Sequence, residues 1–389
     1  MKRSLKVRTL LGGATLVASA LLPTTKLSAQ SNISSQGLGY PVSGTSTRVS
    51  GTAGAFSQFD LITPHNPAAL TGLGRAALSV QAEPEYRTLT LNSVKESVNI
   101  QRIPLLMVGA RLTSRAVLGF SSSTFLDRNY STTTPGQVLI DGKIVATNDI
   151  TDMRGSISDI RAGLGWRISP RISVGLAGHV FTGSNKLTLL REFSDTLTLG
   201  RVVDSSSVDF FGRAVSVGGE FRLPKGFVAS GSYRLGGKLE AENADTISRR
   251  GNIPDRISGG LMYSGLAGAS FALNVEQTNW SEMQSLGSAL LETHDATNIS
   301  GGAEIATGRL RGTPVLLRVG VARNTLPFGL NGGTVSEMRF AAGAALAITN
   351  PGRDQAVLDF SIQRANRKLS GSAAREGAWL LGIGLQIRP

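Results

Sequence analysis

From residue 75 to the C-terminus, apolar and polar residues alternate with a period of two. Trp379, Leu381, Ile383, Leu385 and Ile387 take every second position, with Gly382, Gly384, Gln386 and Arg388 between them. Successive side chains of a strand point to opposite faces, so this spacing gives a segment with one continuously apolar face. Phe271, Leu273 and Val275 repeat the pattern, as do Ile160, Ala162, Leu164, Trp166 and Ile168. A helix would scatter these residues around its axis. Fourteen such segments are legible: 75–83, 103–112, 115–125, 157–168, 171–181, 208–221, 227–238, 255–263, 269–278, 298–306, 314–324, 336–348, 355–365 and 377–388. Their lengths lie near the roughly 9–11 residues with which a tilted strand crosses a bilayer.

The connections carry a second periodicity. Short ones (113–114, 169–170, 222–226, 264–268, 307–313, 349–354) alternate with long polar ones (84–102, 126–156, 182–207, 239–254, 279–297, 325–335, 366–376). Outer-membrane barrels have short periplasmic turns and longer outer loops, whereas a soluble sandwich has no reason to alternate this way. The expected fold is all-β, an antiparallel up-and-down transmembrane β-barrel of about 14 strands spanning 75–389. The chain closes on Ile387-Arg388-Pro389, without the terminal aromatic usual in such barrels.

The N-terminus gives the address. Lys2, Arg3, Lys6 and Arg8 precede an apolar run from Leu10 to Leu22, and small Ser28 and Ala29 precede Gln30. That order is a secretory signal peptide over 1–29, cleaved after Ala29; its apolar run falls short of the roughly 20 residues of a spanning helix. The leader holds five basic residues and no acid, so the formal charge falls from +13 to +8 in the mature chain. Clustered basic runs are missing, so nucleic acid is not an expected partner. No stretch after residue 29 reaches 18 apolar residues, which excludes helical spans. There is no cysteine, so stability rests on burial and backbone pairing. The 47 glycines and a charged fraction of 17% suit short strands and turns better than helices.

Residues 30–74 do not read as membrane strand. They are rich in Ser, Gly and Thr, yet Ala53, Ala55, Phe56, Phe59, Leu61 and Ile62 are apolar enough to pack, which a free linker does not need. A plug folded into the barrel is the preferred reading. The run Asn66-Pro67-Ala68-Ala69-Leu70, preceded by Gly51 to Ala55 and by Asp60, resembles the Asn-Pro-Ala segment of the FadL family. That family comprises outer-membrane transporters of long-chain fatty acids and aromatic hydrocarbons. Pro254-Asp255-Arg256-Ile257 leading into Gly259-Gly260-Leu261, then Trp280-Ser281, are similar to further family patterns, as is Pro327-Phe328 followed by Glu337 and Ala341-Ala342-Gly343.

The resemblance implies an N-terminal hatch, with Phe56, Phe59, Asn66, Pro67 and Ala68 as hatch or ligand-gating residues. It also makes Gly119 a candidate wall kink, since an interior glycine weakens strand pairing. The implied activity is passive uptake of a hydrophobic small molecule, a fatty acid or hydrocarbon, in an outer membrane. Membrane lipid and the barrel-assembly machinery are the other implied partners, and no cofactor is implied. The family also includes partners of type IX secretion, so a structural barrel binding protein through its outer loops is the alternative. A third reading is an outer-membrane lipase or deacylase. His179 faces the less apolar side of its strand and would need a serine or carboxylate from a neighbour. His65, His179 and His294 have no metal-ligand spacing, and no enzymatic site is expected. Few charges are expected in the lumen, which with a plug argues against an open aqueous channel.

Overall fold

The computed structural model describes residues 33, 37–91, 94–140, 142–194, 200–243, 246–286, 292–310, 313–330, 333–348 and 355–388. The leader assigned to 1–29 lies outside them. In chain order the strands are β1 (Tyr40–Pro41), β2 (Ala76–Ala82), β3 (Glu85–Leu91), β4 (Val94–Ile100), β5 (Leu105–Arg111), β6 (Ala116–Asp127) and β7 (Tyr130–Ile140). There follow β8 (Lys143–Arg167), β9 (Ile172–Phe193), β10 (Val202–Arg222), β11 (Phe227–Asn243), β12 (Thr246–Asn252), β13 (Arg256–Leu266) and β14 (Ala269–Thr278). The last are β15 (Glu292–Thr293), β16 (Ala296–Leu310), β17 (Thr313–Leu330), β18 (Gly333–Ala347), β19 (Gln355–Leu369) and β20 (Arg375–Arg388).

Fourteen of these form the wall, each antiparallel to the next: β2, β5, β6, β8, β9, β10, β11, β13, β14 and β16 through β20. β20 then pairs back onto β2, with Leu78 opposite Ile387, and the barrel is closed. These are the fourteen segments that alternation picks out. The apolar stripe faces outward: Leu164, Trp166, Leu273, Trp379 and Ile383 are exposed, while Arg161, Ala272 and Leu380 are buried inside. An apolar belt of this extent calls for a hydrocarbon surround.

Five of the long connections expected to be loops are largely strand: 84–102, 126–156, 182–207, 239–254 (β11 and β12) and 325–335 (β17 and β18). β8, β9 and β10 run for 25, 22 and 21 residues, about twice what a crossing needs. The surplus, with β7, builds hairpins above the belt across much of 126–156 and 182–207. The stretch 84–102 is likewise the hairpin of β3 and β4. Polar residues on both faces erase the alternation there, which is why the pattern stops while the pairing continues.

Pro84 and Pro104 interrupt the first two wall strands, because proline offers no N–H to a ladder. Above Pro104, β4 pairs only with β3 among the described residues, and the exposed edge of β6 is taken by β1, with Tyr40 opposite Asp127. Two contacts bridge this break in the wall: Thr124 N donates to the Pro104 carbonyl at 3.1 Å, and Arg102 Nε to Asp127 at 2.6 Å. At Gly119, by contrast, pairing runs unbroken from Gly109 through Gly119 to Gly163.

Candidate functional site: the filled lumen

Residues 37–74 cross the interior and touch inward-facing wall residues on every side. Glycines make the room. A Cβ at Gly218 would lie 2.0 Å from Asn66 Oδ1, one at Gly175 2.3 Å from the Pro67 carbonyl carbon, and one at Gly320 2.2 Å from Thr52. Gly119 belongs to the same set, 2.8 Å from Leu70. Its place in the strand is a seat for a side chain of the crossing segment.

Asn66 is the fastener. Its Oδ1 accepts from Ala68 N at 2.9 Å, capping the 3₁₀ turn Pro67–Gly72. Proline at the first position suits such a turn, because its missing N–H would have no partner there. The Asn66 amide donates to the Gln58 carbonyl at 3.0 Å and to Ser230 Oγ of β11 at 2.6 Å. Ala68 is buried beside Gly175 of β9. Phe56 is fully buried with Val49 and Ala272, under the Arg48 guanidinium at 5.2 Å. Phe59 packs on Gly260 of β13. The five residues singled out therefore all lie inside the barrel. They hold the segment to different strands and do not converge on one point.

Charge is abundant in the lumen, against the sequence expectation. Arg48 donates to Glu304 at 2.9 Å, Glu304 accepts from Arg318 at 2.8 Å, and Arg318 reaches Asp359 at 2.6 Å. Nearer the outer end, Tyr40 sits among the guanidinium groups of Arg87, Arg102 and Arg367, 4.6 to 5.2 Å from its ring. Its hydroxyl accepts from Arg339 at 2.8 Å and Arg367 at 3.0 Å. Charges of opposite sign so paired can be buried where isolated ones could not. Alternation hid them, because it reports polarity and not which polar residues meet.

The same cluster borders a cavity of about 120 Å³, which touches Tyr40, His65, Arg234, Glu276, Phe125 and Trp280. Its roof is aromatic. Phe125 stacks on Trp280 at 5.3 Å and meets Phe181 edge-on at 4.9 Å, and Trp280 meets Phe328 at 5.9 Å. Trp280 comes from the 3₁₀ turn Trp280–Leu286 between β14 and β15, which brings Met283 and Leu286 into the same cluster.

His65 is a neutral fastener of the crossing segment. Its Nε2 donates to the Ser43 carbonyl at 2.8 Å, and Nδ1 stands 3.5 Å from Glu276. Burial, reinforced by the Arg256 charge, pushes its pKa down to about 4. A released segment would carry a histidine near 6.5, so the seated form binds fewer protons. Its seating is therefore complete above pH 6.5 and weakens as pH falls from 6.5 towards 4, by on the order of 3 kcal/mol. Hydrogen-exchange protection of residues 43–66, corrected for the intrinsic pH dependence of amide exchange, is expected to fall over that window, and His65→Gln to flatten this part of the profile. Equal protection factors at pH 7 and pH 4.5 would contradict the assignment.

His179 does find its neighbours. Asp159 of β8 contacts His179 Nδ1 at 2.9 Å, and Ser216 Oγ of β10 lies 2.8 Å from Nε2. All three are buried, with Ser216 at 2% exposure. Register puts Ser216 opposite Arg234, whose guanidinium covers the Phe125 and Phe181 rings. Spacing could not reveal this chain, because three strands contribute one residue each. His294 lies against Gly329, away from both. Among the described residues no group of three or more His, Asp or Glu is placed to hold a metal.

The sequence matches no protein-family model, and no curated protein matches it. The fold does match solved structures. A FadL homologue of Pseudomonas aeruginosa superposes with a TM-score of 0.64 at 12% identity, covering 88% of this chain and 98% of that one. The fold is that of the FadL-like barrels. The toluene transporter TodX of Pseudomonas putida superposes at 0.58 and 14% identity, over 89% of this chain and 98% of its own. The CymD monoaromatic hydrocarbon channel gives 0.56 and 14%, over 89% and 97%. The FadL-like barrel described here thus shares with them a whole-chain architecture, at identities too low to carry a ligand across.

Proposed function

We propose that this chain is an outer-membrane barrel for passive uptake of small hydrophobic molecules, with 30–74 as its hatch. One observation carries the reading: an aromatic roof over a cavity of about 120 Å³ whose floor is the N-terminal segment. The volume is below the roughly 150 Å³ of an apolar cavity that holds benzene, and Arg234, Arg256, Glu276 and His65 line it beside the two rings, so it suits at most a single ring set against Phe125 and Trp280 and not an extended fatty acid. Ligand would gather at Phe125 and Trp280 and leave by local movement of the hatch or through the break in the wall that Arg102 and Asp127 bridge. The neighbours' transport of toluene and monoaromatic hydrocarbons agrees with this ligand class. Titrating purified protein with toluene is expected to quench Trp280 fluorescence, and Trp280→Phe and Phe125→Ala to weaken binding at least tenfold. The reading fails if neither toluene nor fatty acid binds at saturation and deleting 30–74 leaves liposome permeability unchanged.

A second reading, acyl or ester cleavage, draws on the Ser216–His179–Asp159 chain, which has the hydrogen-bond order of a nucleophile, base and orienting carboxylate. Against it stands the burial of Ser216, at 2% exposure, beside its cross-strand neighbour Arg234. A fluorophosphonate probe is expected to leave Ser216 unlabelled; labelling lost in Ser216→Ala would reverse the order of the two readings.

A further inference from the structure

The outward face is not uniform around the barrel. Across β3, β20, β19 and β18 the ladder registers align Tyr86, Trp379, Arg364 and Phe340 in one row. Tyr86, Trp379 and Phe340 are 44 to 50% exposed, and the Arg364 guanidinium lies 5.1 Å from the Trp379 ring. Below this aromatic row the same face carries Ile362, Ile383 and Leu317, as lipid contact requires.

Four residues further towards the outer hairpins, about 13 Å along a strand, the composition inverts. The registers align Lys95, Thr90, Arg375, Lys368 and Ser336 across β4, β3, β20, β19 and β18. Between the two rows Arg323 stands opposite Met338. All of these cations are exposed, and Arg375 and Lys368 are direct cross-strand partners. Like charges placed so are destabilising unless an anion lies between them. The carboxylates of these strands do not supply it. Glu85, Glu337, Asp359 and Glu376 are buried on the inward face, and Glu96 stands opposite inward-facing Leu89. A hollow of about 790 Å³ runs over the patch, lined by Arg323, Lys368, Arg375, Phe340 and Trp379 and bounded on its inner side by the buried Glu337 and Glu376.

Cations above an aromatic row above an apolar wall match a lipid layer by layer, from phosphorylated headgroup to acyl chains. We infer that Arg323, Lys368 and Arg375 form a binding site for the phosphate groups of a phosphorylated lipid in the outer leaflet, its chains lying on Phe340 and Trp379. The occupant is set by charge complementarity and by continuity with the lipid-facing wall. Guanidinium and ammonium groups bridge phosphate oxygens with charge-assisted hydrogen bonds. The inference rests on the outer-membrane reading proposed above, but uses no lumen residue.

The test is native mass spectrometry of the purified full chain in zwitterionic detergent, with bis-phosphorylated lipid A as probe. Wild-type protein is expected to retain it, and the Lys368→Gln/Arg375→Gln double variant to retain at least tenfold less. Lipid A stripped of both phosphates is expected not to bind. Heat-modifiable migration checks that the variant barrel is folded, and unchanged toluene titration shows that the lumen is intact. Equal retention by the double variant, equal binding of the phosphate-free lipid, or binding of inorganic phosphate alone would each overturn the site. Loss of toluene binding in wild type with lipid A retention intact would instead defeat the uptake reading and leave this site standing.

Discussion

Gly320→Leu is expected to unseat the N-terminal segment while leaving the wall folded. A Cβ at this position meets the Thr52 backbone at 2.2 Å, and no rotamer can relieve a clash between backbone and Cβ. β17 cannot retreat, because it is paired along its length to β16 and β18. The segment must therefore move, which separates Arg48 from Glu304 and withdraws Phe56 from Ala272. Overpacking of this kind costs about 1–3 kcal/mol at a side-chain contact, and a backbone contact belongs at the upper end. The measurable results are ion conductance in planar bilayers and protease cleavage between residues 45 and 60, both expected to be low in the parent protein and raised in the variant. Gly219→Leu is the control, since its nearest atom is Ser173 O at 4.0 Å. Low conductance and full protection in Gly320→Leu would show that the segment does not seal the lumen.

Arg367→Met is expected to have the second largest effect. The Arg367 guanidinium joins Glu85 at 3.1 Å, Glu337 at 2.7 Å and Glu376, and donates to the Tyr40 hydroxyl. Methionine keeps most of the volume and removes a charge shared by three buried carboxylates, although Glu85 keeps Arg87 and Arg102 and Glu337 keeps Arg339. Breaking a buried pair from one side costs about 3–5 kcal/mol. Because Tyr40 anchors β1 to β6, the loss is expected to appear as faster exchange at residues 38–42 and as release of the β1 edge. Adding Glu376→Gln, which removes one of the stranded carboxylates, is expected to restore part of the protection. Unchanged exchange in Arg367→Met would mean that Tyr40 is held by packing alone.

Both predictions concern residues whose role was not legible from the chain. The fourteen wall strands were legible, because a lipid-facing residue at every second position leaves a pattern that needs no partner to interpret. Ile160, Leu164 and Trp166 announce their strand unaided. Arg161 between them does not announce that it faces His179 and Asp159, since that depends on register between strands. Gly320 and Gly175 fall within predicted strands with nothing local to mark them, and only the crossing segment shows that they are seats. Asn66 and Phe56 lie inside the barrel, but their attachment to Ser230 and Ala272, some 160 to 220 residues away, is written nowhere locally. The outer halves of β8 to β10 were missed for the opposite reason: water on both sides leaves no alternation to read.

The closing seam between β2 and β20 has a consequence for how this chain reaches its final state. It joins Leu78 to Ile387, and the whole wall must be ordered before that pairing gains anything. Contacts this distant in sequence are the slowest to form. The seam is also short, because Pro84 divides it into the β2 pairs and the β3 pairs. Until it shuts, β2 and β20 present free edges, and free edges pair with other chains. Residues 37–74 precede β2 directly, so the same last event that removes the edges also encloses the segment. The interval before this seam shuts is therefore when pairing with other chains competes with closure.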